Sequence, residues 1–272
     1  MAYDHNIKAG NAGDIFKHVA LIAALRDLPA PASPVKFVDL FAGYAANPIL
    51  PGREWQQGIG RVKAQCASTD NKDVNAYLSW YLSRPDLVGA SYPGSSLIAR
   101  DTLKDQGREI ALTLYDIADG PVNSLRQVYG AEPHKVFHRA ARPDEPEVTE
   151  ADFLFIDPPG LASEAQPELP TFGDLFEFCD AAKQAYQMFW LPVTCGRSIE
   201  SDLEQLFEQN FQVSVVVWGA EYATGTTQGC LIAYRSMDVE GQLRIRAALD
   251  EMHDLTGWDL ERGAYIEHYV PA

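Results

Sequence analysis

The chain has 272 residues, enough for one large domain or two small ones, and its 46% hydrophobic and 22% charged content excludes wholesale disorder. With 22 Lys and Arg against 38 Asp and Glu it carries −16, a field that repels nucleic acid overall, although a cluster such as Lys8, Lys17 and His18 still presents local positive charge. Four scattered cysteines (Cys66, Cys179, Cys195, Cys230) give no metal or disulfide pattern, and without a signal-like start or a membrane-length apolar stretch the protein is expected to be cytoplasmic, with no metal and no membrane partner.

From Gly13-Asp14 onward, Ile15, Val19, Ile22 and Leu25 recur at helical spacing and predict an amphipathic helix, ended by Pro29, Pro31 and Pro34. Lys36 to Asp39 then rises as a strand closed by the small-residue turn Ala42-Gly43. A doubly wound unit would continue directly into a helix, but residues 47–92 hold Pro48, Pro51, Gly52, Gly58 and Gly60 before a helical Val74 to Leu82. A small helical insertion is expected there, with Tyr77, Trp80 and Tyr81 packing its interior.

Beyond Ser95 the rhythm is regular. Helix Ser96 to Lys104, strand Ile110 to Tyr115, helix Gly120 to Val128, strand Phe153 to Ile156 and helix Asp174 to Tyr186 alternate. Strands Met188 to Val193, Val213 to Trp218 and Cys230 to Tyr234 follow, with Ile199 to Glu208 helical after the first. Alternation of this kind predicts an α/β fold with a mainly parallel sheet, and the last pair reads as an antiparallel hairpin at one edge. A single domain over residues 1–272, carrying the 47–92 insertion, follows.

Ligands of open α/β sheets bind outside the carboxyl ends of strands. Asp39, Asp116 and Asp157 stand at three such ends. At the end of the second strand, Asp116 can accept from both hydroxyls of a ribose, and it equally suits a helix N-cap. Gly43 lets backbone approach a ligand closely. In Asp157-Pro158-Pro159 the prolines fix φ and remove two donors, leaving rigid acceptors able to hold an exocyclic amine, or simply a rigid strand-ending turn. Lys17 and His18 open a helix after a Gly-rich turn, within reach of a ligand or as ordinary helix-surface residues. His134, His138, His253 and His268 show no metal spacing.

Taken in order, Tyr3-Asp4-His5, Lys8-Ala9-Gly10-Asn11, Asp14, Lys17-His18, Asp39-x-x-Ala42-Gly43, Gly52-x-Glu54 to Gly58-Ile59, Tyr92-Pro93-Gly94-Ser95-x-Leu97-Ile98-Ala99-Arg100, Asp157-Pro158-Pro159, Thr226-x-x-Gly229 and Val270-Pro271 resemble the RlmJ family of 23S ribosomal RNA adenine-N6 methyltransferases over nearly the full length. The resemblance implies a Rossmann-like S-adenosylmethionine-dependent methyltransferase, acting on free 23S rRNA without a metal. It places His18, Phe41, Gly43, Ser95, Asp116 and Asp157 on the cofactor. Asp157 with Pro158 and Pro159 would form the catalytic centre, and Tyr3, His5 and Lys17 a lid over the substrate adenine.

Some positions depart from the family pattern. Gly160 replaces the aromatic after Asp-Pro-Pro, so the stacking face for a flipped base falls to Tyr3, His5 or Phe172. Ala45 replaces a turn glycine, and Ala140-Ala141 an Asp-Gly. With the acidic balance, these leave open a methyltransferase on DNA or another amine, or a non-catalytic nucleic-acid-associated homologue linked to use of external DNA.

Overall fold

The structure, a computed structural model, describes residues 8–29, 34–51, 54–63, 69–82, 89–131, 133–163, 166–194, 198–218, 227–258 and 263–271. Its strands are β1 (Val35–Asp39), β2 (Ala46–Pro48), β3 (Ser91–Pro93), β4 (Ile110–Asp116), β5 (Lys135–His138), β6 (Phe153–Ile156), β7 (Tyr186–Thr194), β8 (Gln212–Trp218), β9 (Thr227–Arg235) and β10 (Ala264–Tyr269). The helices are α1 (Ala12–Asp27), α2 (Ile59–Lys63), α3 (Lys72–Leu82), α4 (Ser95–Asp105), α5 (Asp119–Tyr129), α6 (Pro146–Thr149), α7 (Phe172–Ala181), α8 (Ile199–Glu208) and α9 (Val239–Thr256).

The main sheet has the order β10-β8-β9-β7-β6-β1-β4-β5. Strands β1, β4, β5, β6 and β7 pair in parallel, while β9 runs antiparallel to β7 and β8, and β10 antiparallel to β8. This is a Rossmann-like sheet whose strand order reverses beside β1, the switch point at which such folds bind ligands. The expected hairpin does form from β8 and β9, but it lies inside the sheet. The reason is the unforeseen β10, whose half-exposed Tyr265, Ile266 and Tyr269 cover β8 and become the antiparallel edge.

The predicted helix from Asp174 to Tyr186 is shorter than expected. Thr171 and Asp174 form a reciprocal capping box at its start, which brings Phe172 and Gly173 inside. Tyr186 belongs instead to β7, its backbone N–H donating to Asp152 O at 2.9 Å. Sequence periodicity also passes over β5, α6 and the long α9, whose Asp238 cap and left-handed Gly257 end are regular helix signals.

Helix α1 starts where expected, capped by Asn11, whose side-chain oxygen accepts from Asp14 N at 3.0 Å. Its predicted amphipathic stripe is absent, because every residue from Ala12 to Leu25 is buried. The helix lies between the sheet and helices α3, α4 and α9. A helix covered on all sides needs small or apolar residues all round, and Ala20, Ala23 and Ala24 supply them.

The insertion is partly β. Strands β2 and β3 pair antiparallel, Ala46 opposite Pro93, and close the neck of a segment holding a 3-10 turn (Glu54–Gln57), α2 and α3. Tyr77 is fully buried and Trp80 packs against the core, as predicted; the side chain of Tyr81 lies outside the described residues. The segment grips the N-terminus of α1. Ile59 N donates to Gly10 O at 3.0 Å, and Asn11 Nδ2 to Glu54 Oε2 at 3.2 Å.

Gly58 permits this approach, since a Cβ there would stand 2.2 Å from Gly10 O and 2.5 Å from Asn11 O. Backbone cannot swing aside as a side chain can. Gly58→Ala is therefore expected to destabilise the protein by about 1–3 kcal/mol, as overpacking does, read as a lower urea midpoint with an unchanged m-value. An unchanged midpoint would show that the insertion does not press on α1.

Candidate functional site

Strand parity decides which side chains meet. Phe37, Phe153, Phe155 and Met188 face α1, while Val38, Leu154, Ile156 and Phe189 face the other layer. Continuing the alternation past these strands brings Asp39, Asp157 and Trp190 to the α1 side at the carboxyl end of the sheet.

There α1 contributes Lys17. Its Nζ lies 2.8 Å from Asp14 Oδ1 and 2.8 Å from Asp157 Oδ2, with side-chain exposures of 5%, 3% and 19% for Lys17, Asp14 and Asp157. Asp14 Oδ2 also accepts from Gly10 N at 2.8 Å. Burial works against the ammonium, but the two carboxylates outweigh it and raise the Lys17 pKa above the ordinary lysine value. Lys17 is thus a fixed cation. It stands 5.3 Å from the centre of the Trp190 ring, the residue after Phe189, which pairs with Ile156. Lys17, expected in a lid over the substrate, is sealed within the buried helix α1. Tyr3 and His5 lie outside the described residues.

His18 is 2% exposed, and its Nδ1 lies 2.8 Å from Tyr92 Oη. Ser95, the first residue of α4, donates from Oγ to Asp39 Oδ2 at 2.5 Å, and Asp39 Oδ1 accepts from Phe41 N at 3.0 Å. Burial pushes the Asp39 carboxyl up to about 7, against the hydrogen bonds from Ser95 and Phe41 that lower it.

At the next strand Asp116 is held open-handed. Oδ2 accepts from Gly43 N at 3.0 Å and Oδ1 from Ala118 N at 2.8 Å, leaving the carboxylate half-buried. Gly43 adopts φ +59, and among the described residues, its chain neighbours aside, no atom lies within 4 Å of where its Cβ would sit. The strand-one turn is therefore a left-handed corner over open space.

Pro158 is buried and Pro159 exposed. Beside them, a Cβ on Gly160 would meet Leu169 Cδ1 at 3.1 Å, so Leu169 stands where a side chain at Gly160 would go. Phe172, a candidate stacking residue, is buried at 6% and stacked on Phe176. It is core. Sequence reasoning missed Tyr77, Tyr92 and Trp190 as neighbours of the site, and Asp14 and Asp39 as partners of Lys17 and Ser95. The legible signal was the i, i+3 spacing of Asp14 and Lys17, which places both on one helix face. Among the described residues no group of three His, Cys, Asp or Glu could hold a metal ion, and no helix is long and apolar enough to cross a membrane.

No protein-family model matches the chain. It is 28% identical over 131 residues to ribosomal RNA large subunit methyltransferase J of Haemophilus influenzae, covering 45% of each chain. It is 28% identical over 174 residues to the Escherichia coli protein of the same name, covering 58% of this chain and 59% of that one. The chain thus spans about half the length of the curated relatives it matches. A Legionella pneumophila protein of known crystal structure shares the fold, with a TM-score of 0.75 at 18% identity over 97% of this chain and 98% of its own. The resemblance to the RlmJ family carried by the motifs is therefore matched by alignment, at a divergent level.

The Asp39 carboxyl has a folded pKa of about 7, above the unfolded value of about 3.9. Folding therefore takes up a proton between these values, so the group favours the folded state most at the acid end and loses that contribution as pH rises to about 7. Asp39→Asn removes the titration and keeps one of the two oxygen acceptors, which lowers the variant by a pH-independent amount. Urea unfolding from pH 4 to 8 should show the variant gaining on the unsubstituted protein up to about pH 7 and then running parallel. A difference flat across that range would refute the raised carboxyl.

Proposed function

We propose that this chain transfers the methyl group of S-adenosylmethionine to the exocyclic amine of an adenine in 23S rRNA. The observation that carries the reading is the Asp157 carboxylate at the switch-point strand end, with Oδ2 held by Lys17 at 2.8 Å and two prolines following.

The residues present fit the cofactor. Asp116 offers a carboxylate fixed by two backbone N–H groups to a ribose, and Gly43 leaves an open corner for close backbone approach. Phe41, Ser95 and His18 would complete its binding, and Asp157 would border its reactive end. When bound, it supplies an electrophilic sulfonium methyl.

The protein's own part is positional. No hydrogen bond from a described residue reaches Asp157 Oδ1, so that oxygen is available to accept from an amine N–H while Lys17 holds Oδ2. The Pro158 carbonyl, having no N–H beside it in the rigid turn, can accept from the second N–H. Held by both protons, the amine presents its lone pair in one direction, and orientation of this kind supplies much of the rate enhancement in group transfer. The proton released after transfer passes to Asp157 or to water. Lys17, with its raised pKa, is not the base.

The acidic net charge is unevenly spread. Residues 1–100 hold 10 Lys and Arg against 8 Asp and Glu, whereas residues 101–272 hold 12 against 30. The first hundred residues include α1, the strand-one turn and the insertion, so the acidic excess belongs to the part of the chain that follows them. A second reading, methylation of DNA or another amine, is favoured by Leu169 filling the space beside Gly160.

Calorimetric titration with S-adenosylmethionine should show binding, and methyl transfer to unmodified 23S rRNA should yield N6-methyladenine. Asp157→Asn should lower kcat by at least about a hundredfold, on the order of losing a major transition-state contact, while the protein still folds. Absence of cofactor binding would end the proposal; turnover on DNA or free nucleosides but not on rRNA would select the second reading.

A further inference from the structure

The order of the strands fixes which side of Asp157 is left for an acceptor. Asp116 and Asp39 end β4 and β1, Asp157 follows β6, and the next strand beyond β6 is β7. The last pair between β6 and β7 is Ile156 with Phe189, so Trp190 comes next on β7 as Asp157 does after β6. There β6 ends, since Pro158 and Pro159 have no N–H with which to extend the ladder. Strand β7 runs on to Thr194, paired on its other flank with β9: Trp190 with Ile232, Leu191 with Leu231 and Pro192 with Cys230. Among the described residues, no strand pairs with the β6-facing flank of β7 from Trp190 onward, and this overhang begins beside Asp157.

Trp190 is the large side chain at the overhang. Its strand neighbours Phe189 and Leu191 are exposed by 0% and 1%, whereas Trp190 is half-buried. Its Nε1 is buried, and a Cβ on Gly13 would come within 2.7 Å of Cζ2 and 3.5 Å of Cε2. Lys17 Nζ stands 5.3 Å from the ring centre. Gly13 and Lys17 are four residues apart and share one face of α1, so the helix covers one side of the indole. The same ammonium holds Asp157 Oδ2 at 2.8 Å, which ties the indole to the carboxylate through a single cation.

We infer that Trp190 supplies the flat face on which the acceptor base lies, on the β7 side of Asp157 and away from the cofactor. Its role rests on the reading above, in which Asp157 receives the amine and the Asp116 side takes the cofactor. Position 160 has no ring to offer, and Phe172 is committed to the core. A base that turns its amine edge to Asp157 needs a face to lie against, and every base has a π-face that can stack on an aromatic side chain. An indole has two fused rings, so it overlaps a purine more fully than a pyrimidine. This selects a flat heteroaromatic amine over an aliphatic one.

Methyl transfer by Trp190→Leu and Trp190→Phe tests the face, since leucine keeps apolar volume without a flat ring and phenylalanine keeps a smaller one. KM for unmodified 23S rRNA should rise about tenfold in Trp190→Leu, the scale of one lost base-stacking contact. The rise should be smaller in Trp190→Phe, with the dissociation constant of S-adenosylmethionine unchanged in both. A merely structural tryptophan would weaken cofactor and acceptor together. Fluorine NMR of the full chain labelled with 5-fluorotryptophan adds a readout without turnover. With S-adenosylhomocysteine in excess, added adenosine should shift the Trp190 signal, assigned by its loss in whichever variant folds. Strand β4 stands three strands, about 14 Å, from β7, so adenosine bound at Asp116 leaves that signal in place. An rRNA KM unchanged in both variants, or a Trp190 signal that adenosine does not move, overturns the inference. If the unsubstituted protein methylates neither rRNA, DNA nor adenosine, the functional reading fails, and the fluorine signal alone decides whether Trp190 is a base-binding face.

Discussion

Everything at the mouth of the sheet depends on one ammonium group between two carboxylates. Lys17 and Asp14 are almost wholly buried, and such charges stay in the interior only if each has a close partner. Removing one member of a buried ion pair commonly costs about 3–5 kcal/mol, because the remaining charge is stranded. Asp14 is satisfied on its other oxygen by Gly10 N, which belongs to the turn before α1. Asp157 is therefore oriented through a path that runs from a loop glycine through helix and lysine to a strand end.

That path makes the insertion part of the site's scaffold. Gly10 has φ +82, and its carbonyl accepts from Ile59 N, while Asn11 both caps α1 and donates to Glu54. Gly58 lies against the same two residues. Displacing the insertion would loosen the helix cap, then Gly10 N, and then the hydrogen bond that completes Asp14. Arg61 on α2 adds a second tie, donating to the carbonyls of Thr256 and Gly257 at the end of α9, where unpaired carbonyls need donors. The stretch from Glu54 to Arg61 is thus tied both to the start of α1 and to the end of α9.

Much of the fold was legible because β-strands and helices with one buried face leave a periodic trace. Strands β1, β4 and β6 and the helix α4 are read directly from that trace. What failed did so for identifiable reasons. Helix α1 is buried on all sides, so its hydrophobic spacing suggested an amphipathic helix and left Lys17 and His18 as ordinary surface residues, whereas they are among its most constrained. Strand β5 is four residues long and half-exposed, and β10 is a half-exposed edge; neither carries a strong alternation. At the site, the three strand-end acids were visible as residue types. Their differences were not, since Asp39 is sealed with Ser95 while Asp116 is held by backbone and Asp157 by a lysine 140 positions away. Such distinctions come from tertiary neighbours alone.

The turn after Asp157 shows how a single missing side chain changes a site's shape. With glycine at 160, the space beside the prolines is taken by Leu169 from the following loop, which closes back through Ala162 N to Pro170 O at 2.9 Å. A branched aliphatic group covers apolar surface but offers no flat face for a base, and stacking on an aromatic is worth about 1–3 kcal/mol. Phe172 cannot substitute, because its ring is committed to Phe176 and the core. Trp190 remains half-buried on the adjacent strand, with Gly13 placed so that a Cβ would come within 2.7 Å of its ring. One side of that indole is therefore closed by α1, and Lys17 stands over the ring. On the proposed reading, an amine entering beside Asp157 would meet the carboxylate, a proline carbonyl, Leu169 and the remaining side of the Trp190 indole, so that its orientation would rest on hydrogen bonds at least as much as on stacking.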